Sequence, residues 1–147
     1  QQFYLFLMIS IENDKFKLRR LFKEADGDFN PPLSERYKDI DGYINKIEEG
    51  QALVYIKNGK FIGFISFCWK EDHYYVDTLY VNKEFRKQGV AEELYNELFK
   101  RKKEVRLRTW SSNEKHIELL YKLKFKVYKR IKNDRDNGDD SIYFSKK

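Results

Sequence analysis

The chain has 147 residues, of which 41% are hydrophobic and 37% are charged, with a formal net charge of +6. That length predicts a single domain over residues 1–147 with enough apolar surface for a core, and its longest apolar stretch, residues 3–9, is far too short to span a bilayer. One cysteine excludes an internal disulfide and a cysteine metal cluster, and two histidines are too few for a zinc site.

Hydrophobic periodicity and turn residues divide the chain into alternating strands and helices. Asn58-Gly59 is the clearest local signal, because Asn-Gly is the preferred centre of a tight hairpin turn. Ser111-Ser112-Asn113-Glu114 has the spacing of a capping box, in which Ser and Glu satisfy free amides at a helix start. In chain order the pattern predicts a strand at 3–11, a helix capped by Asn13 or Asp14 and ending at Asp26-Gly27, and a helical region around 40–47 that stops at Gly50. Three strands follow at 51–56, 61–69 and 74–81, and then a helix that starts near Gly89. The chain continues with a strand at 105–110, a helix carrying Leu120 and Leu123, and closing strands at 125–131 and 141–144 joined by the polar loop 133–140.

Residues 79–91 read as a strand, a short basic turn with one glycine, and a helix. A helix N-terminus offers unpaired amides and the positive end of the helix dipole, so it is a natural anion site. Gly89 lets the backbone approach a ligand without a side chain in the way, and the small Ala91 does the same one step into the helix. Arg86 and Lys87 add positive charge. The segment predicts pyrophosphate binding, with an ordinary strand-to-helix turn as the alternative.

This segment also carries a family resemblance. Arg86-Lys87-Gln88-Gly89-Val90-Ala91 resembles the Arg/Gln-x-x-Gly-x-Gly/Ala signature of the GNAT superfamily of acetyl-CoA-dependent N-acetyltransferases, and a strand ending in Leu-x-Val precedes it, as in that family. A second family signature, an Asn that begins a helix ending in Leu-Gly-Phe, resembles Asn113 through Leu123-Lys124-Phe125. The order of elements resembles the GNAT fold over essentially the whole chain. It implies an α/β domain with a central, mixed, mostly antiparallel twisted sheet of about seven strands, flanked by about four helices.

The resemblance implies a role for each matching residue. Backbone amides from Arg86 to Ala91 would hold the pyrophosphate of acetyl-CoA, and the pantetheine arm would run along Leu79-Tyr80-Val81. The amide of Val81 would then lie near the thioester carbonyl and stabilise negative charge that develops on its oxygen. Asn113 would contact the coenzyme from the neighbouring strand-to-helix turn. Acetyl-CoA is the implied co-substrate, and no metal is implied.

The second signature departs from the family pattern at two positions. Family members usually carry a tyrosine five residues before the closing Phe, where it protonates the departing thiolate; here that position is Leu120. Tyr121 lies one residue later, which on a helix is a rotation of about 100°. It has two interpretations, the general acid or a packing residue with its hydroxyl at the surface. The glycine that usually precedes the Phe is Lys124.

The candidate general base is Asp77, two residues before Leu79 on the strand expected to line the cleft, where several GNAT enzymes place a Glu. The alternative is a solvated strand acid or a partner of a nearby lysine. His73 is expected at a strand start and His116 in the first turn of a helix, neither with a visible partner. Cys68, in an apolar strand, is expected in the core rather than as a nucleophile.

The resemblance places the acceptor pocket at residues 29–43 and at the loop 133–140. Four aspartates in that loop are compatible with a cationic amine, but a solvated loop is the favoured interpretation. We expect a small-molecule or peptide amine as acceptor, attacking the thioester directly in a ternary complex.

The remaining expectations concern partners and location. Lys and Arg are interleaved with Asp and Glu along most of the chain, so we expect a solvated basic surface and no nucleic-acid partner. We also expect no membrane attachment, a monomer or homodimer, and a reducing, cytoplasmic setting. Residue 1 is Gln rather than Met, so the native N-terminus can lie upstream. The alternative functions are a non-catalytic acyl-CoA-binding sensor domain and, third, a basic nucleic-acid-binding module.

Overall fold

A computed structural model describes residues 7–12, 14–28, 32, 34 and 51–147. The strands are Leu7–Glu12 (β1), Gln51–Lys57 (β2), Lys60–Lys70 (β3), His73–Val81 (β4), Glu104–Trp110 (β5), Lys126–Ile131 (β6) and Ser141–Lys146 (β7), and the α-helices are Lys15–Ala25 (α1), Val90–Phe99 (α2) and Glu114–Lys122 (α3). About four helices were expected, and the described residues contain three. The helical region expected around 40–47 lies outside the described residues, as does most of the acceptor segment 29–43.

The strands are hydrogen-bonded in the order β1-β2-β3-β4-β5-β7-β6. The pairs β1–β2, β2–β3, β5–β7 and β6–β7 are antiparallel. β4 pairs with β5 in parallel, and the ladder covers only His73 to Tyr75 opposite Glu104 to Arg106. The expected α/β fold with a mixed sheet is confirmed.

The chain divides into two compact units. The first unit consists of Gln1–Cys68 and Asp77–Lys100, and the second of Trp69–Val76 and Arg101–Lys147. The single domain expected over 1–147 stays a prediction. Within the described residues, none of the helices combines the length and the apolar character that a membrane span requires.

The hairpin of the first unit has the turn that its sequence predicts. Asn58 and Gly59 have φ angles of 53° and 78°, the left-handed pair that a type I′ turn requires. Lys57 and Lys60 close the ladder on either side. Asn and Gly tolerate this conformation at little cost, so the local sequence sets the turn. Further along the ladder, the register of β2 and β3 shifts between Tyr55 and Ile56.

The core of the first unit forms where α1 packs on β2 and β3. Asp14 caps the helix by accepting hydrogen bonds from the amides of Phe16 and Lys17. The inward face of α1 joins one apolar cluster with the two strands, in which the rings of Phe22 and Phe64 are 4.9 Å apart. The buried members of the cluster are Leu18, Phe22, Ala25, Ala52, Val54, Phe61 and Phe64.

The capping box predicted at the start of α3 is wrong. The helix begins after Asn113, whose side chain makes no capping hydrogen bond. The hydroxyl of Ser111 instead accepts from the amide of Asp140, and that of Ser112 donates to the Asp139 carboxylate. Because these contacts to the loop 133–140 engage both hydroxyls, tertiary structure overrides the local motif.

The end of α3 shows why glycine is usual at the position of Lys124. The amide of Phe125 donates to the carbonyl of Leu120, and the amide of Lys124 donates to that of Tyr121. This is the Schellman arrangement, which places the residue after the helix in the left-handed region. Lys124 has a φ of 71°, a conformation that glycine adopts without strain.

We therefore expect Lys124→Gly to stabilise the fold. Relief of left-handed strain outweighs the extra freedom of glycine in the unfolded chain, for a gain of about 0.5–1 kcal/mol and a rise in Tm of about 2–3 °C. The matched control is Lys122→Gly inside α3, which should lower stability by about 1 kcal/mol. Thermal unfolding measures both, and a lower Tm for Lys124→Gly would contradict the assignment.

Candidate active site

In the first unit, Asn82 fixes the path of the chain where β4 ends. It is fully buried. Its backbone amide donates to the carbonyl of Ile62 in β3 at 2.8 Å, and its side-chain oxygen accepts from the amide of Glu84 at 3.0 Å. These bonds turn the chain sharply after Val81 and aim it into the basic loop. Asn82 was not among the predicted site residues, although an Asn directly after a strand is a typical turn signal.

A glycine in β3 allows the start of α2 to approach this turn. A Cβ atom on Gly63 would lie 3.0 Å from the carbonyl oxygen of Tyr80 and 3.2 Å from Cγ1 of Val90. Any larger residue would therefore push β4 or α2 away. Gly63 was not predicted to matter either. Its signal in the sequence is an isolated glycine inside a strand, which often marks a close approach of another backbone.

The loop from Arg86 to Gly89 is exposed and bent. Lys87 and Gly89 both have left-handed φ angles, of 65° and 79°. The side chain of Arg86 donates to the carbonyl of Val81 at 3.3 Å, and that of Gln88 donates to the carbonyl of Glu84 at 3.2 Å. Both side chains thus bond back to the turn itself. Such alternation of backbone conformations makes a concave surface of amides suited to anions.

The N-terminus of α2 is capped by a residue with no side chain. The cap is Gly89, so it accepts no side-chain hydrogen bond, in contrast with Asp14 at the start of α1. The first amides of an α-helix have no acceptor within the helix. A glycine cap therefore leaves the amides of Val90 and Ala91 to a ligand. A positive helix end without its own anionic cap is a site for phosphate.

An acid of the first turn of α2 is engaged elsewhere. Burial, together with a hydrogen bond to Glu93, raises the pKa of Tyr55 to about 12. Tyr55 lies in β2, so this contact ties the helix to the sheet. It also gives the Glu93 carboxylate a partner away from the loop.

The last residues of β4 are accessible in part. Leu79, Tyr80 and Val81 are all half-buried, as residues that contact a ligand would be. Asp77 is exposed, and its carboxylate accepts a hydrogen bond from the hydroxyl of Thr78 at 3.1 Å. It forms no ion pair with any residue that the structure describes. The lysine pairing considered for Asp77 is therefore not seen within that part of the chain.

In the second unit, Asn113 is oriented by two neighbours. Its Nδ2 donates to Oγ1 of Thr109 at 3.0 Å and lies 3.4 Å from Nδ1 of His116. Burial lowers the pKa of His116 to about 4, so its ring is neutral at pH 7 and accepts from the amide. Neither contact uses Oδ1 of Asn113. The expectation that both histidines lack partners is wrong, because Nδ1 of His73 also lies 2.7 Å from the Asp72 carboxylate.

Tyr121 and Leu120 point to opposite environments. Leu120 is fully buried, whereas Tyr121 is 55% exposed. The Tyr121 ring packs edge to face on Phe144, with centroids 5.6 Å apart. Both interpretations of Tyr121 persist, because the ring packs and the residue remains exposed. Leu120 stands at the position that usually carries the family tyrosine, so that position supplies no phenol hydroxyl.

Most of the acids in the loop 133–140 hold the loop together. Asp140 accepts from the amide of Asn133 and from the side chain of Arg130, and Asp134 accepts from the hydroxyl of Ser141. Hydrogen bonds from Ser112 and Asn137 hold the pKa of Asp139 below its usual range. These carboxylates satisfy turn and strand donors, which gives them a structural role. Cys68 is half-buried and forms no disulfide within the part of the chain that the structure describes. The described residues also contain no cluster of His, Cys, Asp or Glu suited to a metal ion.

The sequence model described as "Acetyltransferase (GNAT) family" matches residues 17–125, well over half of the chain. The chain belongs to the GNAT acetyltransferase family. No curated protein sequence gives a significant match.

Solved structures of GNAT acetyltransferases share the fold. The ribosomal-protein-S18-alanine N-acetyltransferase from Escherichia coli superposes with a TM-score of 0.74 at 19% identity, covering 94% of this chain and 92% of that one. An aminoglycoside 6'-N-acetyltransferase complexed with coenzyme A gives 0.71 at 17% identity, covering 95% and 96%. NAA60 from Arabidopsis thaliana, in complex with a bisubstrate analogue, gives 0.64 at 19% identity, covering 95% and 97%. Identities this low establish the fold alone.

Proposed function

We propose that this GNAT acetyltransferase uses acetyl-CoA to acetylate a primary amine by direct attack in a ternary complex. The observation that carries the proposal is the glycine-capped N-terminus of α2, which follows β4 and a basic loop matching the family signature. Two of the solved structures above are named for their acceptors, an alanine of ribosomal protein S18 and an aminoglycoside. We propose a peptide amine or a small-molecule amine as the acceptor here.

The first unit supplies the anion site in this proposal. The amides from Arg86 to Ala91 hold the pyrophosphate, with Gly89 providing the left-handed cap. The strand Leu79-Tyr80-Val81 binds the pantetheine arm, and the Val81 amide donates to the carbonyl oxygen of the acetyl group. Acetyl-CoA supplies the activated acetyl thioester.

The proposal gives roles to three further side chains, one in the first unit and two in the second. Asn113 binds the coenzyme through Oδ1, because Thr109 and His116 both contact its amide nitrogen. Asp77 is the general base, which takes the proton from the amine directly or through water. Tyr121 is the general acid, which gives a proton to the departing thiolate. Among the described residues, Thr78 alone forms a hydrogen bond with the Asp77 carboxylate.

The second candidate function is an acyl-CoA-binding sensor of the same fold. One observation favours it: the family position for the proton donor is Leu120, which is fully buried. A protein without the donor would still bind the coenzyme through the loop. The two functions therefore predict the same binding and different turnover.

Calorimetric titration with acetyl-CoA followed by a thiol-release assay separates these functions. We expect one coenzyme site per chain and thiol release with at least one amine from a panel of aminoglycosides, polyamines, amino acids and alanine-terminated peptides. Coenzyme binding without release above the no-acceptor blank would favour the sensor. Absence of any acetyl-CoA binding would contradict both.

A further inference from the structure

The two units differ sharply in charge. The second unit has 16 Lys and Arg against 9 Asp and Glu, whereas the first has 14 against 15. The whole basic excess of the chain therefore belongs to the second unit. Basic and acidic residues are interleaved along the sequence, which conceals this separation. That interleaving was the reason for expecting no nucleic-acid partner. A basic excess confined to one unit is typical of a surface for a polyanion.

Strand register places part of this charge on one face of β5, β7 and β6. Arg106 pairs with Ser145 and Arg108 with Tyr143 across β5 and β7. Across β6 and β7, Lys126 pairs with Ser145 and Lys129 with Tyr143. Paired residues lie on the same side of an antiparallel sheet, and the alternate residues Leu107, Ile142 and Phe144 are buried on the other side. We call this surface the basic face; it comprises Arg106, Arg108, Lys126, Tyr128, Lys129 and Tyr143.

Two tyrosine rings lie among the cations of the basic face. The Arg106 guanidinium is 5.4 Å from the centroid of the Tyr128 ring, and Nζ of Lys129 is 5.2 Å from that of Tyr143. The two rings contact each other edge to face at 6.0 Å. Tyr128 lies at a register shift in the edge strand and is 48% exposed. Its ring is thus held in place yet accessible.

One acid, Glu104, lies beside this face, and its neighbours balance its negative charge. Glu104 accepts hydrogen bonds from Nε of Arg106 and from the hydroxyl of Ser145, both at 2.6 Å. These contacts lower the pKa of Glu104 to about 2. They keep Glu104 ionised and pair it with Arg106 in the adjoining cavity. That cavity has a volume of about 530 Å³ and is lined by Glu104, Arg106, Lys124, Lys126, Tyr128, Ser145, Lys146 and Lys147.

Within the second unit, the cavity lies away from the proposed coenzyme contact. It adjoins the start of β5, whereas Asn113 follows the end of that strand. A strand of this length spans roughly 20 Å. The part of the basic face that adjoins the cavity is therefore separate from Asn113.

We propose that the basic face binds single-stranded nucleic acid. The Lys and Arg side chains neutralise successive phosphates, and a base stacks on the Tyr128 ring. Exposed aromatic rings on an antiparallel sheet, flanked by cations, are a recurring way to bind single strands. An acidic peptide would use the cations and leave the tyrosine rings without a role, so the rings favour nucleic acid. The proposal is independent of the acetyltransferase function.

Fluorescence anisotropy of the full chain with a labelled 12-nucleotide oligo(U) tests the proposal. If four phosphates are neutralised, affinity should fall roughly 50-fold between 50 and 200 mM KCl. The double variant Lys126→Glu, Lys129→Glu should bind more than about 10-fold more weakly, and Tyr128→Ala at least about fivefold more weakly. All of these side chains are exposed, and thermal unfolding checks that each variant is folded.

The matched control is Arg20→Glu, Lys23→Glu, which makes the same change of charge on exposed positions of α1 in the first unit. It should weaken binding by less than about twofold. Three results would overturn the proposal: no binding at 50 mM KCl, an equal effect of the control pair, or displacement of the RNA by polyglutamate at equal charge concentration, which would indicate an acidic-protein surface. Acetyl-CoA titration of the same variants should be unchanged, so the outcome is separate from that of the proposed function.

Discussion

Gly89→Val should weaken acetyl-CoA binding about 100-fold, the largest effect on coenzyme affinity that we expect from a single substitution. Gly89 has a φ of 79°, and a β-branched residue resists this conformation. The loop would rearrange, and the amides that face the pyrophosphate would lose one or two charge-assisted hydrogen bonds, each worth about 1.5–3 kcal/mol. Calorimetry with acetyl-CoA measures the change. Some stability should be lost too, because valine pays about 1–2 kcal/mol in this region.

Gly59→Val provides a control with nearly identical backbone strain. Gly59 has a φ of 78°, and at both glycines an added Cβ would meet nothing within 4 Å. The two variants should therefore lose similar stability for the same reason. Only Gly89→Val should lose affinity for the coenzyme, because Gly59 lies in the β2–β3 turn. Equal coenzyme affinity in the two variants would show that the phosphate loop is assigned wrongly.

Tyr121→Phe and Asp77→Asn should each lower kcat by about 100-fold or more and leave the affinity for acetyl-CoA unchanged. General acid and general base catalysis each typically raise a reaction rate by about 10²–10⁴-fold. Both side chains are exposed, so neither substitution disturbs the core. The phenylalanine keeps the ring contact with Phe144 and removes only the hydroxyl. Steady-state rates with the best acceptor measure kcat, and calorimetry measures the affinity.

The control for the two catalytic variants is an exposed tyrosine that has no role in the proposed chemistry. Tyr128→Phe is the matched control, because Tyr128 is exposed to a similar degree in the same unit. Wild-type turnover in both Asp77→Asn and Tyr121→Phe would reject these assignments and leave the family membership intact.

Short-range features of the fold could be predicted because their energetics are local. The Asn58-Gly59 turn, the Asp14 cap and the helix after Gly89 each depend on the conformations available to one or two residues. No distant residue has to be known to evaluate them. The same is true of the proposed phosphate loop from Arg86 to Ala91, because its glycine cap and its basic residues are contiguous in the sequence. The candidate anion site was therefore readable from a single segment.

Features that depend on distant residues were missed or mistaken. Gly63 matters because Tyr80 and Val90 approach it, and the spacing of these residues gives no sign of that contact. The capping box failed because Ser111 and Ser112 bond to the loop that begins more than 20 residues later. A hydroxyl is satisfied equally well by either partner, so local pattern cannot decide between them.

By itself the sequence determined the order of the elements within the described residues, the hairpin turn, the glycine-capped loop and the family resemblance. Backbone preferences and contiguous motifs act over a few residues, which makes these features predictable. Only the tertiary structure decided that Leu120 is buried while Tyr121 is exposed, and that Asn113 is held by Thr109 and His116. It also decided which cations share a face, since strand pairing brings Arg106 beside Tyr128 and Lys129 beside Tyr143. Such neighbours are set by long-range pairing and burial, which the sequence order of charges does not encode.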